Sequence, residues 1–118
     1  MILGSLHAAG AGPCVLPRVW RAANAWERFR GLLGRAPLAA GEGFLIEPCA
    51  SVHTFGMRYP LDLAFLDRDG RVLGIVRDVK PLRVAAGWGA RATLEMASGT
   101  AAAAGLRPGD RLEWREAA

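Results

Sequence analysis

Two cysteines and two histidines are all that this sequence holds of the residues that most often ligate metals or act as nucleophiles. Cys14 and Cys49 allow at most one disulfide, which excludes the stapled frameworks of small secreted domains and leaves two reduced thiols as the expectation. No Cys-x2-Cys pair occurs, so the usual anchor of a zinc site is missing. No apolar run approaches the length of a membrane span. The stretch MILGSLHAAGAG has no Lys or Arg ahead of its short apolar run, and His7 interrupts that run, so it makes a poor signal peptide. A Gly-x-Ser-x-Gly elbow, a phosphate loop and a dinucleotide fingerprint are all absent. A cytoplasmic protein without a bound cofactor or metal is the expectation.

What is present suffices for a core. A chain of 118 residues, 52% of them hydrophobic, fits one domain over 1–118, with residues 1–12 expected to be disordered or loosely attached. The net charge of +4 is concentrated in one place: Arg18, Arg21, Arg28, Arg30 and Arg35 stand against Glu27 alone, and the rest of the chain is neutral. Such a segment suits phosphates or an acidic partner, but charge runs usually serve as solvated helix faces, and nucleic acid is not the expected partner.

Local patterns place the elements. Cys14 to Trp20 is β-branched and aromatic enough for a strand, and Pro17 predicts a sheet edge. Asn24 and Glu27 are spaced as a capping box for a helix whose apolar arc is Trp26, Phe29, Leu32 and Leu33, with Gly34 as its stop. Ala36 to Gly43 reads as loop and Phe44 to Ile46 as a short buried strand. Leu61, Leu63 and Phe65 share one face of the next strand and leave Asp62 on the other. Asp67-Arg68-Asp69-Gly70 supplies a hairpin turn, so Arg71 to Val79 runs back antiparallel and stops at Lys80-Pro81. Ala92 to Met96, a helical turn over Thr100 to Ala104, and a strand over Arg111 to Trp114 complete the chain. Trp26 and Trp114 are expected in the core. The pattern predicts an α+β, β-rich single domain: a curled antiparallel sheet or small, partly open barrel with one amphipathic helix.

Five blocks carry a family resemblance. They are Arg28-Phe29-Arg30-Gly31-Leu32-Leu33-Gly34-Arg35, Gly43-Phe44-Leu45, the run HTFGMRYPLDLAFLDRDG from His53 to Gly70, Leu94 to Gly99, and Gly105-Leu106-Arg107-Pro108-Gly109-Asp110. In this order they resemble the family of uncharacterised proteins designated DUF192. One departure stands out: Gly56 occupies a position where the family commonly has a large aromatic, with Phe55 one step earlier. The resemblance implies a compact β-rich fold and no settled activity.

The site must therefore be argued from residues. Arg58 and Asp62 place a cation and a carboxylate four apart at the start of a strand, either as a fork and orienting group for an anionic ligand or as a structural ion pair or turn cap. Cys49, His53 and Met57 combine thiolate, imidazole and thioether, the ligand types of a blue-copper centre. Sixty-one residues follow Met57, however, and the only other histidine is His7, so copper is not expected. Trp88, in the small-residue stretch Ala85 to Gly89, either covers a pocket or partner surface or folds back as a plug. Asp62, Glu95 and Asp110 are the carboxylates that a tertiary fold would have to bring together. The candidate ligand-binding residues are His53, Phe55, Met57, Arg58, Tyr59, Asp62 and Trp88, in a small binding or accessory module for a ligand or protein partner. The alternative is a metal-dependent or hydrolytic enzyme using His53, Asp62 and Cys49.

Overall fold

The computed structural model describes residues 1–53 and 57–117, the side chains at 52 and 53 excepted. The strands are β1 (Ile2–Ala8), β2 (Cys14–Arg21), β3 (Glu42–Ile46), β4 (Ser51–His53), β5 (Leu61–Leu66), β6 (Val72–Val79), β7 (Val84–Ala86), β8 (Ala92–Ala97) and β9 (Leu112–Glu116). Two short helices, α1 (Ala25–Arg30) and α2 (Thr100–Ala103), interrupt them. Seven strands form one sheet in the order β6-β5-β8-β3-β2-β1-β9, and β4 pairs with β7 in a separate ribbon.

The sheet is mixed rather than purely antiparallel, because β2 and β3 run parallel from Arg18↔Glu42 to Arg21↔Leu45. A parallel pair needs a long crossover. The chain from 22 to 41 makes it, and so lays α1 and Leu32 over one face of the sheet. At one end the two outer strands meet. Arg71 bridges Arg111, Val72 N donates to Asp110 O at 2.7 Å, and Leu112 N donates to Gly70 O at 2.8 Å. The sheet thus curls into a partly open barrel without closing. Gly70 is required there: its φ is +82°, and a Cβ on it would fall 2.2 Å from the Leu112 carbonyl oxygen.

Both faces of the sheet are buried. Inside the curl, residues from all seven strands, among them Leu6, Val19, Leu45, Ala64, Val72, Leu94 and Leu112, pack with Ala101 of α2. On the outer face Phe44, Ile46, Leu61, Leu63, Phe65 and Val79 pack with Ala22 and Leu32 of the crossover. Every residue of β5 is consequently buried, the signature of a strand covered on both sides.

Several expectations need correction. Residues 1–12 are not loosely attached throughout: β1 is hydrogen-bonded between β2 and β9. β2 is an interior strand. Its Pro17 is tolerated because the missing N–H falls at a bulge, where the register to β1 shifts between Leu16 and Val19, just before the ladder to β3 begins. Asn24 does cap α1, its Oδ1 accepting from Glu27 N at 2.9 Å. Glu27 reaches back to the N–H of Ala23 rather than of Asn24. The helix ends at Gly31 (φ +57°), three residues before Gly34. With so short a helix the predicted arc breaks: Leu32 is buried, while Trp26 is 66% and Phe29 82% exposed, their rings stacked on each other at 6.1 Å. Trp114 is half-buried against the inner core, its Nε1 donating to Val19 O at 2.9 Å. The hairpin at 67–70, β6, β8, α2 and β9 stand where the local patterns put them.

Candidate functional site

The carboxylate expected at the ligand site performs a different task. Asp62 is 1% exposed and faces into the curl, because it pairs with Met96 of the inner core. Its Oδ2 accepts from Gly99 N and Ala101 N, both at 3.0 Å, so it caps the first turn of α2 from another strand. Its Oδ1 accepts from Asp78 N at 2.9 Å. Asp78 lies at a β6 bulge where the register shifts between Val76 and Val79, in the left-handed region with φ +54°. Three backbone donors saturate the carboxylate, and among the described residues no ion pair joins it to Arg58. Of the structural alternatives for these two residues the ion pair is therefore corrected and the turn cap holds for Asp62, while Arg58 is exposed.

A second carboxylate takes the place that Asp62 vacates. Glu95 of β8 pairs with Leu63 of β5 and with Phe44 of β3, which turns its side chain onto the outer face among apolar neighbours. It is 5% exposed, and among the described residues no hydrogen-bond donor reaches it. Burial pushes its pKa up to about 7, because an isolated carboxylate is poorly stabilised away from water. Thr93, two residues earlier on the same face, illustrates the contrast: its hydroxyl donates to Cys49 O at 3.1 Å.

Glu95 lines a hollow of about 110 Å³ together with Ile46, Cys49, Met57 and Leu61, under the turn from Arg28 to Leu33. A second hollow of about 460 Å³ shares Leu32, Leu33 and Met57 with it and adds Arg58, Tyr59 and Pro37. The arginines around these openings differ in role. Arg30 Nε donates to Leu33 O at 2.9 Å and Arg35 Nε to Gly31 O at 3.1 Å, so both tie down the roof turn. Arg28 is half-buried and its guanidinium, like that of Arg58, has no hydrogen-bond or ion-pair partner among the described residues. The Tyr59 hydroxyl is buried without a hydrogen-bond partner among the described residues. Burial raises its pKa; the Leu38 backbone, nearby but outside hydrogen-bond geometry, pulls the other way, and the Glu95 charge adds to the rise.

The structure thus gathers Met57, Arg58 and Tyr59 around adjoining hollows, places Asp62 on the opposite face, and leaves Trp88 99% exposed. Trp88 lines neither hollow, and the plug reading of it is overturned. Phe55 and the His53 ring lie outside the described residues, as does the test of the Cys49-His53-Met57 set. Among the described residues no three His, Cys, Asp or Glu side chains cluster as metal ligands. Nor do Asp62, Glu95 and Asp110 converge: the first two face opposite ways, and Asp110 Oδ2 accepts from Arg107 N within its own turn. Sequence reasoning named Glu95 only as one such carboxylate. The alternation Thr93-Leu94-Glu95-Met96 hides its role, because it reads as a strand with its polar side in water.

The roof turn, Arg28 to Arg35, and the wall at Met57 belong to blocks of the sequence resemblance, and a family model decides the matter by matching residues 7–114. The chain belongs to the DUF192 family. That family is described as uncharacterised. A crystal structure of a protein of unknown function from Novosphingobium aromaticivorans DSM 12444 superimposes with a TM-score of 0.78 at 30% identity, over 95% of this chain and 85% of that one. A second, described as a candidate transcription regulator from Sinorhizobium meliloti 1021, gives a TM-score of 0.79 at 26% identity, over 96% and 92%. No functionally curated protein matches the chain.

Proposed function

We propose that this DUF192 protein is a small-ligand-binding module whose site is the hollow over Glu95. The observation that carries the reading is a carboxyl group that is buried, has no hydrogen-bond partner among the described residues and lines a hollow. Such a group costs stability and, among the described residues, holds no polar group in place, which is the mark of a side chain kept for what it meets. Met57 contributes to the wall of that hollow, and Arg58 and Tyr59 line the adjoining hollow. The enzyme reading loses its carboxylate with Asp62, and Cys49 is engaged with its own loop, its Sγ donating to Ser51 O at 3.2 Å. The regulator description of the Sinorhizobium relative does not extend to DNA contact here: the longest helix among the described residues has six residues, too short to read a major groove. The free thiols of Cys14 and Cys49 favour a reducing compartment, in keeping with the cytoplasm.

Stability against pH tests the reading. The ordinary carboxyl value of 4.5 applies to the unfolded chain, and the folded value is about 7. The folded state therefore holds the extra proton between these values, so stability falls as pH rises through that window. The loss, on the order of 3 kcal/mol, is complete above it. Urea unfolding at pH 8 is expected to show Glu95→Met more stable than the natural protein by about 1–3 kcal/mol. Glu95→Gln is expected to lack the decline between pH 5 and 8. Destabilisation of both variants by more than about 1 kcal/mol would mean that Glu95 supports the fold, and the site reading would fall.

A further inference from the structure

We infer that the hollow takes a small monoanion with an apolar body, a short-chain carboxylate, held by the Arg28 guanidinium and by a hydrogen bond donated from the carboxyl of Glu95. The inference rests on the binding-module reading above and adds the class of ligand.

Three observations lead to it. First, Arg28 and Glu95 line the same hollow, and Arg28 has no partner among the described residues, whereas Arg30 and Arg35 spend their guanidinium groups on the carbonyls of the roof turn. A half-buried, uncommitted guanidinium is a fork for a carboxylate. Second, the walls between the two polar groups are Ile46, Leu61, Met57 and Leu33, and about 110 Å³ suits an aliphatic body somewhat smaller than the benzene held by an engineered cavity of about 150 Å³. Third, the charge lining the hollow disfavours a cation. The titratable and charged groups that line the hollow with Glu95 are Arg28 and Arg30 from α1 and Cys49 from the loop after β3, and Tyr59 lies near enough to feel its charge; its strand neighbours Phe44 and Leu63 bring none. An ammonium ion would share the hollow with the two arginines. An anion is drawn by them and needs only that Glu95 keep its proton, which burial secures up to about neutral pH. Two carboxyl groups then share one proton across a short hydrogen bond, and binding is coupled to proton uptake.

Butyrate, butylammonium and butanol are suitable probes, followed by the methyl resonances of Met57, Leu32 and Leu33 in the full chain. Butyrate should shift these resonances saturably, with affinity falling about tenfold per pH unit above pH 7 as Glu95 loses its proton. Arg28→Gln should weaken butyrate at least fivefold. Glu95→Gln, whose amide still donates, should retain binding and abolish its pH dependence. Butylammonium binding better than butyrate, with affinity rising with pH, would overturn the anion assignment and leave the binding module standing. So would butyrate binding that is indifferent both to pH and to Arg28→Gln. If none of the three probes moves these resonances, the binding-module reading fails with it.

Discussion

Asp62 and Glu95 are a pair of buried carboxylates on neighbouring strands with opposite fates. The difference is one of partners. Asp62 accepts from three backbone N–H groups, so its burial is compensated and it knits α2, the β6 bulge and β5 together. Glu95 finds no donor among the described residues. Removing Asp62 orphans three donors at once, and Asp62→Ala is expected to cost about 3–5 kcal/mol in urea unfolding. Arg58→Ala is expected to stay within about 0.5 kcal/mol, and the double variant to show no coupling. A coupling above about 1 kcal/mol would restore the Arg58–Asp62 pair that the geometry dissolves. The sequence places Asp62 on the face opposite Leu61, Leu63 and Phe65, which is where it lies. That this face is the inside of a curled sheet requires knowing that Ala64, Leu66 and Met96 meet β1, β2 and β9 residues across it.

At the scale of elements, α1 is a case where the local signal is sound and its extension is not. The Asn24 cap is real, but six residues are too few to present an arc four side chains long, and positive φ at Gly31 turns the chain so that Leu32 enters the core without Trp26 and Phe29. Asn24→Ala should therefore cost about 1 kcal/mol through the lost cap. Trp26→Ser and Phe29→Ser should each change stability by less than about 0.5 kcal/mol, despite the size of the rings removed. Losses of about 2 kcal/mol or more in thermal unfolding would show that the two aromatics are core residues after all. The hairpin between β5 and β6 is the opposite case, legible in full. Asp67 Oδ1 accepts from Asp69 N at 2.8 Å and Arg71 N at 2.9 Å, and these backbone donors, Arg71 first, hold its carboxyl below the ordinary range against the counter-effect of desolvation. A turn of four residues carries its own instructions.

For the whole molecule the governing feature is a sheet buried on both sides. Leu63 packs on the outer face under the crossover, and Leu94 packs inside the curl; neither is exposed to solvent. Leu63→Ala and Leu94→Ala are each expected to lower stability by about 2–5 kcal/mol, measured as urea midpoints at constant m-value. A loss below about 1 kcal/mol at Leu63 would mean that the crossover and the β4–β7 ribbon lie loosely on the outer face, and the hollow over Glu95 would lose its walls. The arginine-rich segment belongs to this scale too. Arg30 and Arg35 serve the roof turn, so its charge excess is only partly a solvated surface.

The sequence by itself determined the features that depend on neighbours in the chain: where β2, β3, β5, β6, β8 and β9 lie, though not β1, β4 or β7, that Asn24 starts a helix, that Gly70 closes a hairpin, and that the family is DUF192. Period-two alternation, caps and positive-φ glycines act over a few residues, so they are written locally. Tertiary structure alone decided which faces are covered and which polar groups have partners. The parallel pairing of β2 with β3 forces residues 22–41 across the outer face. The register of β8 against β3 and β5 then sets Glu95 beneath them, while the same register turns Asp62 toward the donors of α2. Burial and hydrogen bonding of a carboxylate depend on atoms brought together from distant positions in the chain. Two acidic residues that look alike in sequence therefore become, in the fold, one structural acceptor and one uncommitted group over a hollow.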